Sequence, residues 1–187
     1  MKETWDRIEK WLVANSPKAL AGLNPGCGED AIEKLEAILG VELPEDFRAS
    51  YKIHNGQEYD SPWMIGGKEL MSLERIEIEW SSMLELLDGG DFDGLKSLAE
   101  GPMRNDWWNR AWVPITYDGA GNYFCMDLDP APGGNRGQLV RFWHDANDRN
   151  VIAPSFGDWL RQYADDLEAG VYIGNEGGFV VLKAYAE

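Results

Sequence analysis

The sequence predicts an α+β fold: a single domain in which helices pack against a mainly antiparallel sheet. Three observations predict it. Apolar residues recur at helical spacing through the first ninety residues, β-rich runs cluster between Trp112 and Trp143, and one further amphipathic stretch follows Ser155. Helices and strands that are segregated along the chain, without the alternation that builds parallel βαβ units, belong to this class. The length of 187 residues suits one core, and 44% hydrophobic against 27% charged residues is enough apolar surface to form it.

The elements follow in order. Thr4 to Ala14 place Trp5, Ile8, Trp11 and Leu12 at helical spacing with charged residues between, and Asn15, Ser16 and Pro17 end this first helix. A turn-rich stretch from Gly22 to Gly28 precedes a second helix, which Glu29 and Asp30 open, Ile32, Leu35, Ile38 and Leu39 line, and Gly40 caps. Leu43 and Pro44 start a third, with Phe47 and Tyr51 on one face and Asn55 and Gly56 as the stop. Leu70 and Met71 read as a short strand before Ser72 caps a fourth helix, whose apolar stripe is Ile76, Trp80, Met83, Leu84 and Leu87 and which Gly89 and Gly90 end. The strands Trp112 to Thr116 and Asn122 to Asp127 form a hairpin through Asp118, Gly119, Ala120 and Gly121, and Gln138 to Trp143 completes a three-stranded meander after the loop Asp129 to Gly137. Ser155 and Asp158 form the capping pair of a last helix with Phe156, Trp159, Leu160, Tyr163 and Leu167 inward, closed by Gly170, and Phe179 to Leu182 suggest a final strand.

Charge narrows the function classes. Seventeen basic against 33 acidic residues give a net −16, a field that repels phosphate backbones and anionic lipids and argues against direct nucleic-acid or membrane binding. The same field favours encounter with a basic partner. Cys27 and Cys125 are too few for a disulfide framework and have no metal or redox spacing, so they read as free thiols in a reducing, cytoplasmic setting. The N-terminal stretch MKETWDRIEKW carries charge and no apolar core of a leader, and no run approaches a membrane span.

Catalytic chemistry needs convergent reactive groups, and the sequence supplies no recognisable set. His54 and His144 share no ligand spacing with each other or with the cysteines, so neither a zinc site nor any other cofactor is expected. There is no nucleophile elbow and no phosphate-cradling lysine loop. Gly26, Gly28 and Ala31 match G-x-G-x-x-A, but Asn24 and Pro25 stand where a strand is required, which leaves an ordinary start of a helix.

Three segments together resemble the SUKH superfamily, which includes the fungal Smi/Knr cell-wall-assembly regulators. Leu43, Pro44, Phe47, Tyr51, Asn55 and Gly56 are similar to its LP-x-x-F/Y-x-x-x-Y-x-x-x-N-G signature. Trp112, Pro114, Ile115, Asp118, Gly119, Gly121, Cys125, Asp127, Leu128, Asp129 and Pro130 resemble its centre, and Gly137, Gln138, Val140, Ser155, Phe156 and Trp159 its C-terminal part. The likeness covers about residues 25–170, leaving out an insertion over 92–108 and the tail after Gly170. It implies a non-enzymatic protein-binding domain: an immunity protein that neutralises a toxin domain such as a nuclease, expected to be basic from the net −16 charge, or, alternatively, a regulatory scaffold. A small hydrolase or metal enzyme is the reading of a different class. The expected contact surface is an acidic rim of Asp118, Asp127, Asp129, Asp145 and Asp148 at the strand turns, with Trp63 or Trp108 as an exposed aromatic anchor.

Overall fold

Trp5, Ile8 and Leu12 share one face of a helix, and in the computed structural model of the chain, which describes residues 1–185, that face is fully buried. The helix, α1, spans Lys2–Asn15, and its Trp5 indole donates to Ser50 Oγ at 2.8 Å, satisfying the one polar atom the ring brings inside. Pro17 does more than end it. Proline at a first helical position gives up a hydrogen bond that would be unmade anyway, and Pro17 opens a short α2, Pro17–Ala21, between the expected first helix and the turn-rich stretch from Gly22.

Helix α3, Glu29–Leu39, ends in the left-handed Gly40, and α4, Glu45–Tyr51, begins one residue after Pro44, which caps the helix from outside. Phe47 and Tyr51 stack at 4.1 Å between ring centroids, and the Tyr51 hydroxyl donates to the Met71 carbonyl. Gly56 has φ +62°, and a Cβ there would lie 2.4 Å from that same carbonyl group, so both the conformation and the close approach exclude a side chain. Strand β1, Glu69–Leu70, leads to Ser72, whose hydroxyl accepts the Arg75 N–H to cap α5, Leu73–Gly89. The buried stripe of α5 is Leu73, Ile76, Trp80 and Met83, whereas Leu84 and Leu87, expected in it, are only half-buried.

The remaining elements are β2 (Leu98–Glu100), β3 (Trp112–Pro114), β4 (Thr116–Tyr117), β5 (Tyr123–Asp127), β6 (Gln138–Phe142), β7 (Asp148–Ala153), α6 (Phe156–Glu168), β8 (Tyr172–Gly174), β9 (Val180–Leu182) and a final 3-10 turn, Lys183–Tyr185. The expected meander is present as β3, β5 and β6, and β7 and β2 extend it into a five-stranded sheet of order β2-β7-β6-β5-β3. Every pairing in it is antiparallel except β2 with β7. The single run expected from Trp112 to Thr116 divides at Ile115: β3 pairs with β5, and β4 pairs with β1 in a second, two-stranded sheet. Helix α6 packs on β6 and β7, α5 on β3, and α1 and α4 pack on α6. Ser155 accepts the Asp158 N–H as the expected cap, and Phe156, Trp159, Leu160, Tyr163 and Leu167 are all buried.

Candidate partner-binding surface

Strand register decides which of the acidic turn residues lie together. Tyr123 pairs with Phe142 at one end of the β5–β6 hairpin and Asp127 with Gln138 at the other, about 13 Å away for a five-residue strand. Asp118, Asp145 and Asp148 therefore collect at one end, where the His144 N–H donates to Asn122 Oδ1 at 2.9 Å and ties the two turns together. Asp127 and Asp129 lie at the opposite end, so the five do not form one rim.

Their surroundings separate them further. Asp127 is fully buried, accepting from Gln138 Nε2 at 3.0 Å and from the Asp129 N–H at 3.1 Å. Burial raises its pKa, and those two hydrogen bonds oppose the rise. It is an interior group that holds the Asp129 to Gly137 loop, and a contact role for it is corrected. Asp129 is engaged bidentately by Arg104 at 2.8 Å, which holds its carboxyl below the usual range. Asp118 closes its own turn, accepting from the Ala120 and Asn122 backbone N–H groups and from Asn122 Nδ2 at 2.7 Å. Asp148 is ion-paired with Arg141. Asp145 is exposed.

The two tryptophans also part company. Trp108 is only 2% exposed, seated edge-on against Phe142 at 5.0 Å and Trp112 at 5.9 Å, so it is core and the expectation of an exposed anchor there is overturned. The insertion that carries it folds back over the sheet, because an indole gains more from that aromatic cluster than from water. Trp63 is half-buried, edge-on to Phe179 at 6.1 Å and adjacent to Gly119 of the acidic turn.

What the sequence reading did not single out is the opposite face of the hairpin. Side chains alternate along a strand, so Phe124 and its cross-strand partner Arg141 point away from Tyr123 and Phe142, and Trp143 shares the side of Arg141. Phe124 and Trp143 stack at 6.1 Å and 27°. The Lys68 ammonium lies 5.2 Å and 5.7 Å from their centroids, and the Arg141 guanidinium 5.0 Å from Trp143. Lys68, Phe124, Arg141 and Trp143 are all half-buried and form a ladder of alternating cations and rings. Aromatic residues and arginine with one wet edge are what protein interfaces are enriched in. The period of two over Gln138 to Trp143 was the available signal for Arg141 and Trp143; Lys68 enters from a distant segment and had none.

Among the described residues no three His, Cys, Asp or Glu side chains are grouped to hold a metal ion. Cys125 is buried and its pKa is raised by that burial; His54 Nε2 contacts Glu9 at 2.8 Å while His144 sits at the acidic turn.

Comparison with known proteins adds a lineage to this geometry. The sequence model of the SMI1 / KNR4 family (SUKH-1) matches residues 26–162, running through the 92–108 stretch that motif resemblance left out. The chain is 30% identical to the cell wall assembly regulator SMI1 of Saccharomyces cerevisiae, over 89% of the chain and 40% of that protein. It is 27% identical to the glucan synthesis regulatory protein of Neurospora crassa (92% and 39%) and 27% identical to human F-box only protein 3 (98% and 36%). The chain thus spans about two fifths of the length of these relatives.

Proposed function

Because the chain belongs to the SMI1 / KNR4 family (SUKH-1), we propose that it is a regulatory, non-enzymatic protein-binding domain whose contact surface is the cation–aromatic ladder of Lys68, Phe124, Trp143 and Arg141. The observation that carries this is the ladder's composition and half-burial: two stacked rings and two cations share one partly exposed patch. The names of the relatives, regulators of cell wall assembly and of glucan synthesis, favour the regulatory scaffold over a toxin-neutralising immunity protein. They are likewise names of regulators and not of enzymes.

In this reading the −16 charge steers a basic partner, and the rings supply the affinity. Asp118, Asp145, Asp148 and Trp63 adjoin the ladder and form its margin, with Asp129 outside it. The test begins with a tagged full chain used to recover partners from its own cells at low salt. Trp143→Ala is expected to weaken the recovered complex by about 2 kcal/mol, roughly 30-fold in Kd. Asp145→Lys is expected to slow association a few-fold and flatten its salt dependence; reversing Asp118 is a poorer test, since that carboxylate builds its turn. A partner whose affinity ignores Trp143→Ala would move the contact surface away from the ladder, and failure to recover any partner would remove the binding reading itself.

A further inference from the structure

The half-buried and buried cations of this chain are almost all matched. Arg48 meets Glu29 and Glu36, Arg75 meets Glu79 at 2.7 Å, Arg7 meets Asp165 and Glu168 at 2.6 Å, and the buried Arg149 donates to three backbone carbonyls. Lys68 is the exception. Its ammonium rests on the faces of Phe124 and Trp143 and makes neither an ion pair nor a hydrogen bond to any described residue.

Beside it is a cavity of about 130 Å³, whose walls include Lys68, Phe124, Trp159, Tyr163, Tyr172 and Leu182. The polar groups at its edge satisfy each other, Gln162 Nε2 donating to Asp166 Oδ1 at 2.9 Å. A cavity that size corresponds to roughly four water volumes, or a group of three or four heavy atoms. Its aromatic walls suit an apolar group, and the Lys68 amine is its one charged atom that makes no hydrogen bond or ion pair to a described residue, alongside the neutral Tyr172 hydroxyl and Trp159 indole N–H.

We infer that Lys68 is a modification site that accepts a short acyl group from an acyl thioester, with the acyl methyl lodged in this cavity. The neutral Nζ attacks the thioester carbonyl; the N–C bond forms, the C–S bond breaks, the thiolate leaves and Nζ gives up a proton to solvent. The product is an uncharged amide. Holding an unmatched charge partly out of water is unfavourable, and the amide removes that penalty while its short chain fills the void. Acylation also deletes one of the ladder's two cations, which links the modification to the surface proposed for partner binding.

The charged groups around Lys68 set its reactivity. Burial lowers its pKa, Asp118 partly offsets this, and the two rings act in the same sense as Asp118. Asp166 lines the cavity with its carboxylate engaged by Gln162, and Arg141, across Trp143, is engaged by Asp148. A larger fraction of Lys68 than of an exposed lysine is therefore in the nucleophilic, neutral form near neutral pH.

The experiment treats the full chain with S-acetyl-N-acetylcysteamine, a small uncharged acetyl thioester, and follows each lysine by peptide mass spectrometry as pH is raised. Lys68 is expected to be acetylated at least about threefold faster than the exposed Lys10 and Lys96 at neutral pH. The octanoyl thioester, too long for the cavity, should lose that preference. Lys68→Arg should abolish the fast site and leave Lys10 and Lys96 as they were. Labelling of Lys68 no faster than Lys10 and Lys96, or the same preference with the octanoyl donor, overturns the inference.

Discussion

Replacing Trp112 by alanine is expected to lower the unfolding free energy by about 3 to 5 kcal/mol, the range for emptying a fully buried aromatic site. Trp112 is 0% exposed, opens β3 opposite Asp127, and meets Trp108 edge-on at 5.9 Å; Trp108 in turn meets Tyr123 and Phe142. Interlocked rings collapse poorly into a void, because moving Trp108 toward it breaks its contacts with Tyr123 and Phe142. A domain's whole stability is about 5 to 15 kcal/mol, so the variant should unfold at much lower denaturant. Trp112→Phe, which keeps a ring against Trp108, should recover most of the loss. A shift below about 1 kcal/mol for the alanine variant would show that the cluster repacks and that β3 does not depend on it.

Arg149→Ala is expected to be similarly damaging, about 3 kcal/mol or more, for a different reason. Its guanidinium is wholly buried between Trp107 at 4.9 Å and Phe142 at 4.4 Å, and it donates to the carbonyls of Ala146, Asp148 and Trp107. Burial pulls its pKa down to about 10, and carbonyl dipoles and ring faces stand in for a carboxylate. Truncation leaves those acceptors unpaired and frees the insertion at Trp107 from β7. Two readouts separate the effects. Denaturant melts measure the global loss, and limited proteolysis between residues 92 and 107 should accelerate beyond what that loss predicts. Arg149→Met fills the space without the donors, so recovery of full stability by Met would mean that packing, and not the hydrogen bonds, holds the insertion.

Helix limits were readable wherever a residue type permits only one local conformation: Gly40 as a left-handed terminator, and Ser72 and Ser155 as caps. Pro17 was ambiguous because the residue that ends one helix can begin the next. Strand β7 was missed since its first half, Asp148 to Asn150, is polar, and Arg149 is drawn inward by partners that no local pattern reveals. Strand β2 consists of three residues stabilised by parallel pairing with a segment fifty positions later. The site was less legible than the fold. Aspartate at turns signalled the turns and not their exposure, so Asp127 was placed on the surface although Gln138 and the loop enclose it. Trp108 had no periodicity to betray its burial, and the ladder exists only because register brings Phe124 beside Arg141 and Trp143 and the left-handed Gly66 and Gly67 turn the chain into Lys68.

The docking of α1 on α6, fastened by Arg7 to Asp165 and Glu168, also governs how the chain is made. At translation rates of roughly 5 to 20 residues per second, about eight to thirty seconds separate the emergence of the first helix from that of its partner. During that interval Trp5, Ile8 and Leu12 have no α6 to cover them, so an apolar face that is fully buried in the folded domain stays open on the nascent chain. Chaperone dependence should therefore be concentrated on the ribosome-bound intermediate, and synthesis that stalls before Phe156 should leave an aggregation-prone fragment.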